Sequence, residues 1–389
     1  MQADPRSESA TTPLEMLEYF RQRSDAIIEL IREIVEIESP SHDAKGSRDV
    51  VSWIEKEVQK IGLDAAIEKY PTSDGDHLVV RVFRGHSEPI LLLGHTDTVH
   101  PVKTNLKNPT RVDGDKFFGC GIFDMKANIV LVLEALRFFK ENGIEPARPI
   151  NILLSCDEEI GSSTGREYVE REAQAANHCL IFEPSAAGSV KTGRKGTAMY
   201  TVSVHGVPAH AGLDPEKGAS AILEISQQIE RLHTFNDVEA GTTVNVCTVR
   251  GGTTTNVIPE HAECTVDVRF TSMTEAARID AAIKGLTAFD ERISVTVTGG
   301  INRPPMERTE AVVSLYERAR RIAESFGYDL GEMQVGGASD GNFVGALGVP
   351  VLDGLGITGD GAHTLHEHVL ISDIPNRAAL ITRLLMEAE

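Results

Sequence analysis

Hydrophobic residues over the first half of the chain fall into two alternating textures. A helical spacing runs from Leu14 to Glu38, from Arg48 to Ile61, over 126–142 and over 163–174. Between these lie short alternating or continuous apolar runs, Ala65 to Lys69, His77 to Phe83, Pro89 to Leu93, 149–155 and 178–182, which read as strands. Strands separated by helices predict an α/β fold, a helix-covered and mostly parallel sheet with ligands at the carboxyl ends of its strands. From Gly193 the order becomes βαββαβ: strand Thr197 to His205, helix Lys217 to His233, strands Thr243 to Arg250 and Glu260 to Phe270, helix 273–287 and strand Ile293 to Thr298. This reads as an α+β module inserted into the first domain, with Asn302 to Pro305 as the return hinge. Glu307 to Phe326, Val349 to Leu352 and Ser372 to Met386 then restore the helix and strand pattern, and Met1 to Thr12 reads as a frayed tail. The predicted domains are 1–192 and 304–389, forming one discontinuous unit, and 193–303 between them.

The chain has 389 residues, of which 41% are hydrophobic, enough for two cores. A balance of 38 basic against 58 acidic residues, a net charge of −20, argues against nucleic acid or an anionic membrane as partner. No apolar run approaches the roughly 20 residues that span a bilayer. No secretory signal is visible at Met1 to Pro13, which predicts a cytoplasmic protein. Five cysteines without metal-type spacing, Cys120, Cys156, Cys179, Cys247 and Cys264, read as reduced and mainly buried thiols.

Charge placement changes the picture. The segment Pro149 to Gly161 passes from an apolar strand into Asp157-Glu158-Glu159, three adjacent carboxylates that resist joint ionisation without a compensating cation. Other strand ends finish in ligand-type residues too: His95-Thr96-Asp97 after Leu91 to Gly94, and Glu183 after Cys179 to Phe182, while Asp124 precedes the apolar helix Ile129 to Phe139. The combination predicts a carboxylate-rich, binuclear metal site. Asp97, two residues beyond His95, is placed to turn back and hold the second imidazole nitrogen.

Five ordered segments, Gly94-His95-Thr96-Asp97-Thr98-Val99, Gly119-Cys120-Gly121-Ile122-Phe123-Asp124-Met125-Lys126, Asp157-Glu158-Glu159-Ile160-Gly161, Glu183-Pro184-Ser185 and Ala362-His363-Thr364, resemble the binuclear zinc amidohydrolases. That family includes aminoacylase, succinyl-diaminopimelate desuccinylase, peptidase T and the bacterial glutamate carboxypeptidases, and this chain looks most like the last group. The resemblance implies a catalytic domain carrying a lid and dimerisation module, a homodimer formed through that module, and two Zn2+ ions, with Co2+ or Mn2+ also accepted. It implies that Asp124 bridges the ions, His95 and Glu183 completing one shell and Glu159 and His363 the other. Among the three late histidines, His363 matches the family spacing of four residues before a glutamate; His366 is the fallback, and His368 faces solvent or packs at a strand start. Glu158 is implied as general base, and His210, in Pro208-Ala209-His210-Ala211-Gly212, as the lid histidine that steadies the oxyanion.

Asn256 and, thirteen residues on, Arg269 match positions that bind a substrate carboxylate in related enzymes, and the Gly336 to Gly341 turn, with Gly337, offers backbone amides. Lys191, Arg194 and Lys195 do not register with the basic residue that glutamate-specific relatives use, which argues against glutamate preference. The expected activity is hydrolysis of an amide bond next to a free carboxylate, releasing a C-terminal amino acid from a small peptide or an N-acyl amino acid. The alternatives are an N-acyl amino acid deacylase or desuccinylase of the same family, and a catalytically silent binding protein on the same fold. A dinucleotide site at Gly119-Cys120-Gly121 fails because Asp124 stands where that motif requires glycine.

Overall fold

The computed structural model describes residues 11–387. The tail reading for Met1 to Thr12 lies outside them except for Thr11 and Thr12, and Thr12 is the N-cap of the first helix, in a reciprocal capping box with Glu15. Two compact units form. One comprises the chain to Thr192, Arg308–Gln334 and Ser339–Glu389; the other comprises Gly193–Glu307 with Val335–Ala338, so Gly337 falls in the second.

The first unit is built on a six-stranded sheet in the order Ala66–Pro71, Asp76–Val82, Ile150–Ser155, Ile90–His95, His178–Ile181, Val351–Leu352. Asp76–Val82 pairs antiparallel with both of its neighbours, and the remaining three pairings are parallel. Ile90–His95 is buried along its whole length, as a parallel strand covered on both faces must be. One cover is the helix Ala127–Asn142, almost entirely buried, which packs against Ser24–Glu36, Ala44–Ile61 and Ile374–Met386. Arg166–Gln174 and Gly341–Ala346 pack together elsewhere on the unit.

Register positions the chemistry. His95 is paired with Ser155 and Leu93 with Ile181, so Asp157 to Glu159 and Glu183 leave the sheet level with His95 at the carboxyl ends of three neighbouring strands.

Two features depart from the sequence pattern. The helical spacing from Leu14 to Glu38 resolves into two helices, Pro13–Gln22 and Ser24–Glu36, broken at Arg23. No glycine or proline marks that break; the Arg23 guanidinium instead reaches the buried Glu134 at 2.6 and 3.0 Å. A second small sheet, ordered Gly359–Asp360, His368–Leu370, Lys116–Phe118, Arg111–Asp113, uses strands of two or three residues, too short to show a period.

The second unit has the βαββαβ order expected: Gly196–His205, Ala221–His233, Thr243–Gly251, His261–Phe270, Met273–Lys284 and Ser294–Arg303. Its four strands are antiparallel, in the order Thr243–Gly251, His261–Phe270, Gly196–His205, Ser294–Arg303. Burial alternates strictly along His261–Phe270, with Ala262, Cys264, Val266, Val268 and Phe270 in the core and His261, Glu263, Thr265, Asp267 and Arg269 on the open face. All five cysteines are unbonded; Cys247 is exposed and the other four are buried. Among the described residues no helix is long and apolar enough to cross a membrane.

Candidate metal centre

His95 ends its strand with the imidazole buried. Its Nε2 lies 3.1 Å from Asp124 Oδ1 and 3.4 Å from Glu183 Oε1. The other carboxylate oxygen of Asp124, Oδ2, lies 3.5 Å from His363 Nε2, which is 3.1 Å from Glu159 Oε2. Two triads result, His95–Asp124–Glu183 and Asp124–Glu159–His363, each with its ligand atoms within 4.8 Å of one another and with Asp124 common to both. Glu158 belongs to neither triad. It opens the short 3-10 turn Glu158–Ile160, half-buried beside Glu159.

Each of these side chains is held by its own local device. Asp97 Oδ1 lies 3.4 Å from His95 Nδ1, and the same carboxylate accepts the backbone N–H groups of Glu158 and Glu159 at 3.2 and 3.1 Å and the Ser41 hydroxyl at 2.8 Å. His95 Nδ1 is closer still, at 3.0 Å, to the Asp97 carbonyl. Asp97 thus fixes an imidazole on one strand end and the carboxylate turn on the next. Asp124 sits in the turn Ile122–Lys126, which begins after Gly121 at a φ of 70°. A side chain at 121 would also meet Thr98 Cγ2 at 2.4 Å, so only glycine fits. His363 itself has a φ of 65°, left-handed backbone that a residue with a Cβ adopts at a cost of about 1–3 kcal/mol.

Glu367 is the residue whose importance the sequence hid. Its carboxylate is buried and accepts the backbone N–H groups of Gly121, Phe123 and Asp124, each at 2.9 Å, and lies 2.8 Å from His100 Nε2. In the sequence it served only to mark the spacing from His363. Its position two residues before the apolar pair Val369-Leu370 was the available signal, because a carboxylate drawn in with a buried strand must find donors. Asn128 acts similarly, bridging the Phe123 and Phe182 carbonyls and the Ile357 N–H. The three adjacent carboxylates also separate. Asp157 turns inward to accept from Thr164 N, Thr164 Oγ1 and Gly165 N at 2.7, 2.8 and 3.2 Å, leaving Glu159 in a triad.

The donor set suits a divalent cation. It combines two imidazoles with three carboxylates, and Glu159 Oε1 is buried with no hydrogen-bond partner. Electrostatics agree. Burial opposes a charge on His95, yet Asp124, Asp97 and Glu183 hold its imidazole well above the ordinary value. Hydrogen bonds to Asp124 and Glu159 raise His363 to about 10. Burial pushes Glu159 up, whereas Asp124 is drawn down against its burial by His363 and His95. Protons on the imidazoles balance the carboxylates, and a cation must displace them. Binding therefore releases protons, and affinity falls as pH falls, by up to about one log unit per pH unit for each imidazole cleared. Equilibrium dialysis between about pH 8 and pH 5 should show cation content declining monotonically; a flat profile would mean that neither imidazole is a ligand.

The remaining candidates lie in the second unit. His210 pairs with Val257 in a two-residue bridge, and Ala211 N–H donates to the Asn256 carbonyl at 3.0 Å, which brings His210 and Asn256 together. His210 Nδ1 accepts from the Gly212 and Leu213 amides, both at 3.1 Å. Arg269 donates through Nε and Nη2 to Asp267, both at 2.9 Å, and the Gly337 carbonyl accepts from Arg194 at 3.1 Å.

Imidazole and carboxylate donors grouped at the carboxyl ends of parallel strands mark a metal-dependent hydrolase. Residues 91–387 match the model of Peptidase family M20/M25/M40, and the chain belongs to that family. It is 32% identical over 374 residues to carboxypeptidase G2 of Pseudomonas sp. (strain RS-16), covering 93% of this chain and 89% of that protein. Its fold resembles aminopeptidase PepT from Bacillus cereus, with a TM-score of 0.75, 21% identity and coverage of 93% of this chain and 98% of that one. It also resembles the M20 family metallo-carboxypeptidase Sso-CP2 from Sulfolobus solfataricus, with a TM-score of 0.70, 16% identity and coverage of 92% and 98%. Membership of this family sets aside the catalytically silent alternative.

Proposed function

We propose that the protein hydrolyses an amide bond next to a free carboxylate, releasing a C-terminal amino acid from a small peptide or an N-acyl amino acid. The observation that carries the reading is Asp124, whose two oxygens face two different imidazole–carboxylate pairs. Likeness to carboxypeptidase G2 supports the choice of bond. His95, Asp124 and Glu183 would hold one cation and Asp124, Glu159 and His363 a second, zinc being the first choice and cobalt or manganese also compatible. When bound, such cations supply Lewis-acid polarisation of the carbonyl and acidify the attacking water.

The chain's own groups do the rest. Glu158 takes the water proton and returns it to the departing nitrogen. Asp97 keeps the His95 tautomer fixed and the Glu158–Glu159 turn in place. At His210, a Nδ1 that accepts two amides leaves the ring proton on Nε2, and an Nε2–H is the donor that a developing oxyanion requires. Asn256 and Arg269 bind the substrate carboxylate, which would meet the guanidinium at its Nη1/Nη2 end because Asp267 takes Nε–H and one N–H of Nη2. The Gly337 turn contributes to the same pocket, and two copies associate through the second unit.

A panel of N-acyl amino acids and dipeptides, each with its C-terminal amide counterpart, tests the reading. Amidation is expected to lower kcat/KM by about 10²-fold, the worth of a charged hydrogen-bonded pair. Equal turnover of acids and amides would point to recognition of the amino end instead.

A further inference from the structure

A second group of ligand-type side chains lies wholly within the second unit. His205 ends the strand Gly196–His205, His261 begins the strand His261–Phe270, and the two are direct partners across the antiparallel ladder. Their rings face each other at 4.7 Å between centroids, and their Nδ1 atoms are 3.2 Å apart. Glu260 completes the group, with its carboxylate oxygens 3.6 Å from His205 Nε2 and 3.7 Å from His261 Nε2. One donor atom from each of the three falls within 4.8 Å of the others.

We propose that His205, Glu260 and His261 form a separate cation site, selective for an imidazole-preferring divalent ion such as zinc, copper or nickel. Two imidazoles and one carboxylate match the donor preference of these ions and not that of magnesium or calcium, which take oxygen donors. The site is built into the backbone. The ladder fixes the two histidines in register, and the Gly206 N–H donates to the Glu260 carbonyl at 2.7 Å, so only side-chain rotations remain to be ordered. Arg250, on the adjoining strand, is 2.5 Å from Glu263, two positions beyond His261, and is engaged there. Glu260 and His261 open on a groove of about 500 Å³ lined also by Pro208, Arg250 and Thr253, and His205 is exposed, so a bound ion keeps solvent-facing positions. The catalytic reading gives these residues no part.

Equilibrium dialysis of the full-length holoenzyme against Zn2+, with its paired centre already loaded, tests the proposal. Wild-type protein is expected to take up one further ion per chain. His205→Gln and His261→Gln should each weaken that uptake by about tenfold or more, and the double variant should abolish it while the paired centre stays full. Glu260→Gln should weaken it less. Cu2+ bound in place of Zn2+ should give an electron paramagnetic resonance spectrum with two nitrogen couplings, reduced to one in either single variant. Absence of a further ion, equal uptake by the double variant, or Mg2+ binding as tightly as Zn2+ would each overturn the proposal. All three side chains are substantially exposed, so the variants should fold, and circular dichroism verifies that they do.

Discussion

Glu158→Ala is expected to reduce kcat by about 10²–10⁴-fold, the usual worth of a general base, while cation content stays at the wild-type value. The side chain lies in neither triad, so its removal takes no donor from either cation. Its backbone N–H, which donates to Asp97 Oδ1 at 3.2 Å, survives the substitution, as does the neighbouring donation from Glu159. The turn that presents Glu159 therefore stays in place. Glu158→Gln, which keeps the shape and removes the basicity, should lose nearly as much. Turnover rates and metal content measured on the same preparations decide the matter: retained turnover removes Glu158 as the base, and lost cations make it a ligand.

Glu367→Ala should be the most damaging change outside the two triads. It deletes a buried acceptor that serves three amides and lies beside His100, and breaking one side of such a buried arrangement costs about 3–5 kcal/mol. Those amides belong to the turn that carries Asp124. The variant should accordingly lose both cations, because Asp124 is common to the two triads. Glu367→Gln, which retains one acceptor oxygen, should fall between. Denaturant midpoint and metal content are the readouts; an alanine variant with wild-type values of both would show that the turn is held by something else.

How much of this was legible follows from which interactions are local. Strand ends finishing in His95, Glu159 and Glu183 could be read because parallel strands align their carboxyl ends, and the structure places the three level with one another. Asp97 could be read because its imidazole partner is two residues away. What could not be read depends on distant backbone. Glu367 answers amides more than 240 residues earlier in the chain, and no side-chain pattern encodes an amide. Asp157 looked like one of three equivalent carboxylates until Thr164 and Gly165 turned it inward. The break at Arg23 follows from a buried glutamate on another helix, and the small sheet of two- and three-residue strands has no period to detect. Arg269 shows the opposite limit. With Asp267 two residues away, a strand arginine can pair locally or await a substrate, and in the structure Asp267 holds two of its nitrogens.

The clamp by Glu367 also sets an order of events during synthesis. A nascent chain can collapse around the strand Ile90–His95 and the helix Ala127–Asn142 with His95, Asp124 and Glu183 all present. The turn bearing Asp124 has no acceptor for its amides until position 367 leaves the ribosome, only a few residues after His363 supplies the last imidazole. Cation capture is therefore a late step, coupled to the arrival of the final segment and not to the folding of the sheet on which most of the donors sit.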